Sequence, residues 1–131
     1  RMLLDNGLTP VIAPLTFSEE GLLLNTNADT VASETAIALV EAKGERQEAR
    51  GNVQLTFCFE KAGVLRDADD ELSLIPCITR ESYKQLLADG IVSGGMIPKI
   101  DNAYAAIEHG VQSVRITHAN NLQGGTIIAE K

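Results

Sequence analysis

Two short stretches hold residues whose types and spacing could do chemistry. In "NTNADT", residues 25–30, Asn25, Asn27 and Asp29 alternate between an apolar arm and a helical repeat. Such side chains accept hydrogen bonds from the unpaired N–H groups of a first helical turn, so they can serve as caps. One cap is enough, and three such residues in five positions exceed that need. In "VSGGMIPK", residues 92–99, Ser93, Gly94 and Gly95 lead into a helical pattern with Pro98 and Lys99 near its start. Glycines let backbone N–H groups approach a ligand, and a helix start gathers unpaired donors with a positive dipole. A cation there costs about 0.3 kcal/mol or more. A bound phosphate reverses that sign, whereas a simple turn would leave Lys99 in water.

Other chemistries fit poorly. A calcium loop needs glycine at its sixth place and glutamate at its twelfth. Counted from Asn25 these are Thr30 and Ala36, and the acidic "DADDE" run has Leu72 at its sixth place. That run reads as a solvated turn. The glycine pair is not a Walker loop, because Ile100 follows Lys99 where serine or threonine is required. Ser33 and Ser82 lack a triad pattern, and no Cys/His cluster suggests zinc. His109 falls at a helix C-terminus, where it suits the dipole, and His118 follows a strand.

The elements that must position these residues come from periodicity. "TPVIAP", 9–14, reads as a short buried strand between prolines, and "LTFSEEGLLLN" as a hairpin around Ser18–Gly21. Val31, Ala32, Thr35, Ala36, Leu39 and Val40 share one helical face, capped by Asn27 or Asp29 and stopped at Lys43-Gly44. The polar "GERQEARGN" ends in a turn. "VQLTFCF" reads as a buried strand that exits through Gly63, and "LSLIPCIT" as a strand cut by Pro76. A helix capped by Thr79 carries Tyr83, Leu86 and Leu87 and stops at Gly90. The helix after the glycine pair carries Ile97, Ile100, Tyr104 and Ile107 and stops at His109-Gly110. "VQSVRI" and "GGTIIAE" close the pattern as strands. Strands alternating with helices imply a layered α/β fold with a largely parallel sheet. No repeat or linker divides the chain.

The totals are compatible with one domain of 131 residues and 44% hydrophobic content. A net charge of −7 supplies no basic face, which argues against nucleic acid. No apolar run approaches the roughly 20 residues of a membrane helix, and no stretch has the pattern of a secretory leader. Cys58 and Cys77 lie in apolar surroundings and read as buried, reduced thiols, which fits a cytoplasmic protein. The chain opens on Arg1 rather than methionine and is expected to be a piece of a longer one.

In this order, "GLTPVIAP", "LNTNADTVA", "EKAGVL" and "DGIVSGGMIPK" resemble the amino acid kinase family, and within it the N-acetylglutamate kinases. The resemblance runs from the N-terminus to about residue 116. It implies a three-layer αβα sandwich around a mainly parallel sheet, of which this chain would be the C-terminal, nucleotide-binding half. It implies phosphorylation of the side-chain carboxylate of an N-acylglutamate by ATP, with Mg2+ held mainly by the nucleotide phosphates, on the route to arginine. By motif position, Asn25 would contact the substrate α-carboxylate, with Asn27 supporting it. Asp29 would organise lysines, and Lys99 would face the ATP phosphates. Glu60, Lys61, Gly63, Val64 and Leu65 would line the nucleotide pocket with Ile91, Val92, Ser93, Gly94 and Gly95. No metal ligand is assigned to the chain itself. A homo-oligomer is implied, with no nucleic-acid or membrane partner. N-succinylglutamate as substrate, the matching half of another amino acid kinase, and a non-catalytic nucleotide-binding or assembly module stay open.

Overall fold

The computed structural model describes residues 2–42 and 53–131. The short helix α1, Met2–Asp5, precedes an extended segment and a hairpin of β1, Leu15–Phe17, and β2, Leu23–Asn25. The hairpin pairs Leu15 with Asn25 and Phe17 with Leu23. Its turn closes by a bond from Ser18 N–H to the Leu22 carbonyl at 2.9 Å, with Gly21 at φ +79. Glycine adopts that left-handed conformation without a side-chain clash.

Residues 9–14 are not the buried strand expected from the sequence. They run as exposed, irregular chain, and Val11 is 95% exposed. Pro10 and Pro14 lack the N–H groups that strand pairing needs. The Pro14 carbonyl accepts the Thr26 N–H at 3.0 Å, which ties this segment to the base of the hairpin.

Helix α2, Ala28–Glu41, follows directly. Its expected stop at Lys43-Gly44 and the polar stretch "GERQEARGN" lie outside the described residues. Strand β3, Gln54–Phe59, buries Leu55 and Phe57 in strict alternation. The chain then bends at 60–63. Only Cys77–Ile78 of "LSLIPCIT" forms a strand, β4. Its front end is instead a 3₁₀ turn, Glu71–Ser73, because the Asp70 side chain caps the Leu72 N–H at 2.9 Å. Helix α3, Arg80–Ala88, starts on a reciprocal cap between Thr79 and Ser82. It buries Tyr83 and Leu86, while Leu87 lies on the open side. Helix α4, Met96–Glu108, leads into β5, Ser113–His118, and the chain ends beyond β6, Thr126–Ile128.

The main sheet has the order β3-β5-β6-β4. The β3/β5 and β4/β6 pairs are parallel and β5/β6 is antiparallel. Register places Leu55 beside Val114, Phe57 beside Ile116, and Val114 beside Ile128. These side chains form one apolar face, with Ile78, Val114 and Ile116 fully buried. Helices α2 and α4 pack on that face, and α3 flanks α4 through the Tyr83 and Tyr104 rings, 5.7 Å apart. The alternation that buries Phe57 turns its neighbour Cys58 to the opposite face, with Thr56. Cys58 and, on β4, Cys77 are exposed free thiols, not the buried thiols expected.

Helices α2 and α4 run side by side in the same direction. Asp29 meets Lys99, and the Ser33 hydroxyl donates to the Asn102 carbonyl at 2.9 Å. The Asn102 amide reaches the Thr30 hydroxyl at 3.3 Å. Because α4 returns into β5 through the turn at Gly110, both helix starts lie at the carboxyl ends of β3 and β5. In α/β folds that edge is where ligands bind.

Candidate active site at the starts of two helices

Asn27 sits just outside α2, and its Oδ1 accepts the N–H groups of Asp29 at 2.8 Å and Thr30 at 3.1 Å. Capping by the middle residue of the polar triplet fixes the direction of the next carboxylate. Asp29 occupies the first turn of α2, where the dipole favours an acid. Its Oδ1 lies 2.6 Å from Lys99 Nζ. Asn25 ends β2 and is exposed beside this start.

Lys99 is the fourth residue of α4 and only 8% exposed. Gly95 stands before the helix and offers no side-chain cap. The Met96 and Ile97 N–H groups bond the Ser93 and Gly94 carbonyls at 3.1 and 3.2 Å. The helix start is thus less rich in free donors than the sequence suggests. The charge there belongs to Lys99, which is held by Asp29 and also lies over the Phe57 ring.

A cavity of about 210 Å³ opens beside the first turn of α4. The sequence-predicted Glu60, Lys61, Gly63, Val64 and Leu65 line one side, and Ile91 and Ser93 the other. Phe59, Ala68 and Met96 also line it and were not singled out from the sequence. Phe59 had a legible signal, since it alternates with Phe57 along β3; Met96 stands one helical turn before Lys99. Val92 belongs instead to the core, 2% exposed. Gly94 and Gly95 are exposed at the helix start and do not line the cavity. Lys99 and Asp29 lie beyond the cavity wall, joined to it by the turn that carries Ser93 and Met96.

The wall at 63–65 is rigidly held. Val64 N–H donates to the Thr126 hydroxyl at 2.8 Å, and that hydroxyl donates to the Ile75 carbonyl at 2.7 Å. A Cβ on Gly63 would come within 2.7 Å of Thr126 Oγ1 and 2.8 Å of Leu74 Cδ1. Only glycine permits this approach. Among the described residues no group of three or more His, Cys, Asp or Glu is placed to hold a metal ion. No helix among them is long and apolar enough to cross a membrane.

An apolar-walled cavity next to a buried cation suits a ligand with one flat apolar part and one anionic part. A sequence labelled Acetylglutamate kinase from Phocaeicola vulgatus is 49% identical over 128 residues, covering 96% of this chain and 47% of that protein. The chain thus spans about half the length of the curated relatives it matches. A crystal structure of smu.665 from Streptococcus mutans superposes with a TM-score of 0.78 at 31% identity, over 99% of this chain and 46% of the other. Carbamate kinase from Giardia shares the fold at a TM-score of 0.59 and 16% identity, over 99% of this chain and 47% of its own. The fold is the α/β fold of these proteins. The model of the amino acid kinase family matches residues 1–118, and the chain belongs to that family.

Proposed function

We propose that this chain is the C-terminal, nucleotide-binding half of an acylglutamate kinase, which moves the γ-phosphoryl group of ATP to the side-chain carboxylate of N-acetylglutamate. The observation that carries this reading is the Asp29–Lys99 pair, 2.6 Å apart where two helices begin together. Phosphoryl transfer depends on positioning and on positive charge around the transferring oxygens. Lys99 would supply that charge at a fixed point, and Asp29 would hold it there. The apolar surfaces of Phe59, Ile91 and Met96 would receive the nucleotide base, with Glu60 and Lys61 at the rim. Asn25 would meet the amino acid carboxylate through its amide N–H, and Asn27, committed to the helix cap by its oxygen, would keep Asp29 aimed. Mg2+ would be carried by the nucleotide phosphates, as this ion commonly is.

The test is ADP release by the complete gene product with N-acetylglutamate, N-succinylglutamate and free glutamate. Transfer to an N-acylglutamate is expected, and Lys99→Ala is expected to lower turnover by about 10²-fold, with nucleotide affinity falling less. Wild-type turnover in Lys99→Ala rejects the reading. Mg-ATP binding by calorimetry with no transfer to any of the three acceptors indicates a non-catalytic nucleotide-binding module instead.

A further inference from the structure

We propose that Phe57 is a positioning residue for Lys99, holding the ammonium from below through its ring face; the catalytic part of this inference rests on the function proposed above. Lys99 Nζ lies 4.9 Å from the Phe57 ring centroid. Both residues are almost out of water, at 8% and 3% exposure. Attraction between a cation and the negative face of a ring operates within about 6 Å and strengthens when water is excluded.

The surroundings explain why an aromatic residue matters here. Around this point the same face of the sheet carries Leu55 before Phe57 on β3, Ile116 beside it on β5 and the half-buried Phe59 two residues on, and it is the Phe57 ring that lies under the ammonium. An ammonium pressed against aliphatic groups loses hydration and gains nothing in return. The ring supplies a partner that has no hydrogen-bonding demand of its own and cannot compete for the ammonium protons. An ammonium has three N–H donors. Asp29 Oδ1 takes one at the side, and the ring closes the direction toward the sheet. The remaining donor capacity is left for the mouth between the two helix starts. Asp29 and Phe57 therefore act along different directions. The carboxylate fixes Lys99 laterally, and the ring fixes its depth.

The decisive experiment keeps the ring's shape and weakens its electrostatics. Phenylalanine carrying one, two or three fluorines is placed at position 57 of the complete gene product. The ε-methylene proton shift of Lys99 is followed by NMR, assigned by its loss in Lys99→Arg, alongside kcat, KM for nucleotide and Tm. The Lys99 signal is expected upfield of the other lysines and to move stepwise with fluorination. The kcat is expected to fall stepwise to about a three- to tenfold loss at three fluorines, with Tm and KM nearly unchanged. Phe57→Leu is expected to remove the upfield shift altogether. A Lys99 signal indifferent to both changes overturns the contact. A signal that moves while kcat stays level overturns the positioning role. If no acceptor is phosphorylated at all, the functional reading fails, and the NMR series still decides whether the ring holds the lysine.

Discussion

Lys99 stands where a helix dipole repels it, at a cost of about 0.3–1 kcal/mol. Asp29, placed where its own helix dipole welcomes an acid, offsets that cost at 2.6 Å. With side chains 11% and 24% exposed, the pair is largely shielded from solvent. Removing one partner leaves the other's hydrogen-bonding group short of its partner, so Asp29→Asn is expected to destabilise the fold by about 1–3 kcal/mol in denaturant titration. A double-mutant cycle with Lys99→Met should show strong coupling, since removing both charges leaves neither stranded. Loss of stability equal to the sum of the single changes would contradict this. The triplet of Asn25, Asn27 and Asp29 stands out in the sequence as a candidate because it exceeds what a cap requires. Its division of labour is not legible there, because cap geometry decides which amide is consumed. Phe57 escaped notice because β alternation marks a buried ring as core, whatever lies above it.

Elements with a strong period were the most legible. Helices α2, α3 and α4 and strands β3 and β5 follow their apolar spacing. The segments at 9–14 and 72–76 did not, since proline and an Asp cap override short apolar runs in ways that composition conceals. Gly63 reads in sequence as a loop residue, yet its constraint comes from Thr126 and Leu74, remote in the chain. Gly63→Ala is expected to cost about 2 kcal/mol or more by thermal unfolding, because the clash is with backbone and a pinned hydroxyl. The seam between α3 and α4 gives a pH signature. Burial pushes the Tyr104 hydroxyl up to about 12, against the opposing influence of Arg80, whose guanidinium lies over its ring. Burial also raises Tyr83, helped by its hydrogen bond to Asp101. A tyrosine in the unfolded chain loses its proton near pH 10. The folded state holds the proton longer, so this contribution is complete below pH 10 and disappears as pH rises toward 12. Tm is expected to fall across that window, and Tyr104→Phe to flatten the fall.

For the molecule as a whole, the open side of β3 has a consequence. It is an end strand of the main sheet among the described residues, and an apolar groove of about 330 Å³ runs beside it, lined by Pro10, Ile12, Val31, Leu39 and Leu55. Leu15, Phe17, Leu22 and Leu23 of the hairpin are also exposed. Unpaired strand edges and apolar patches invite association. The isolated chain is expected to self-associate in sedimentation velocity at micromolar concentration, and a stable monomer at high concentration would contradict that. The joined starts of α2 and α4 have a mechanical counterpart. Sliding one helix along the other by a turn, about 5.4 Å, would break the contacts of Asp29, Thr30 and Ser33 together. The two helices are consequently tied at three points, so a shift of the Lys99 end of α4 must carry Asp29 with it.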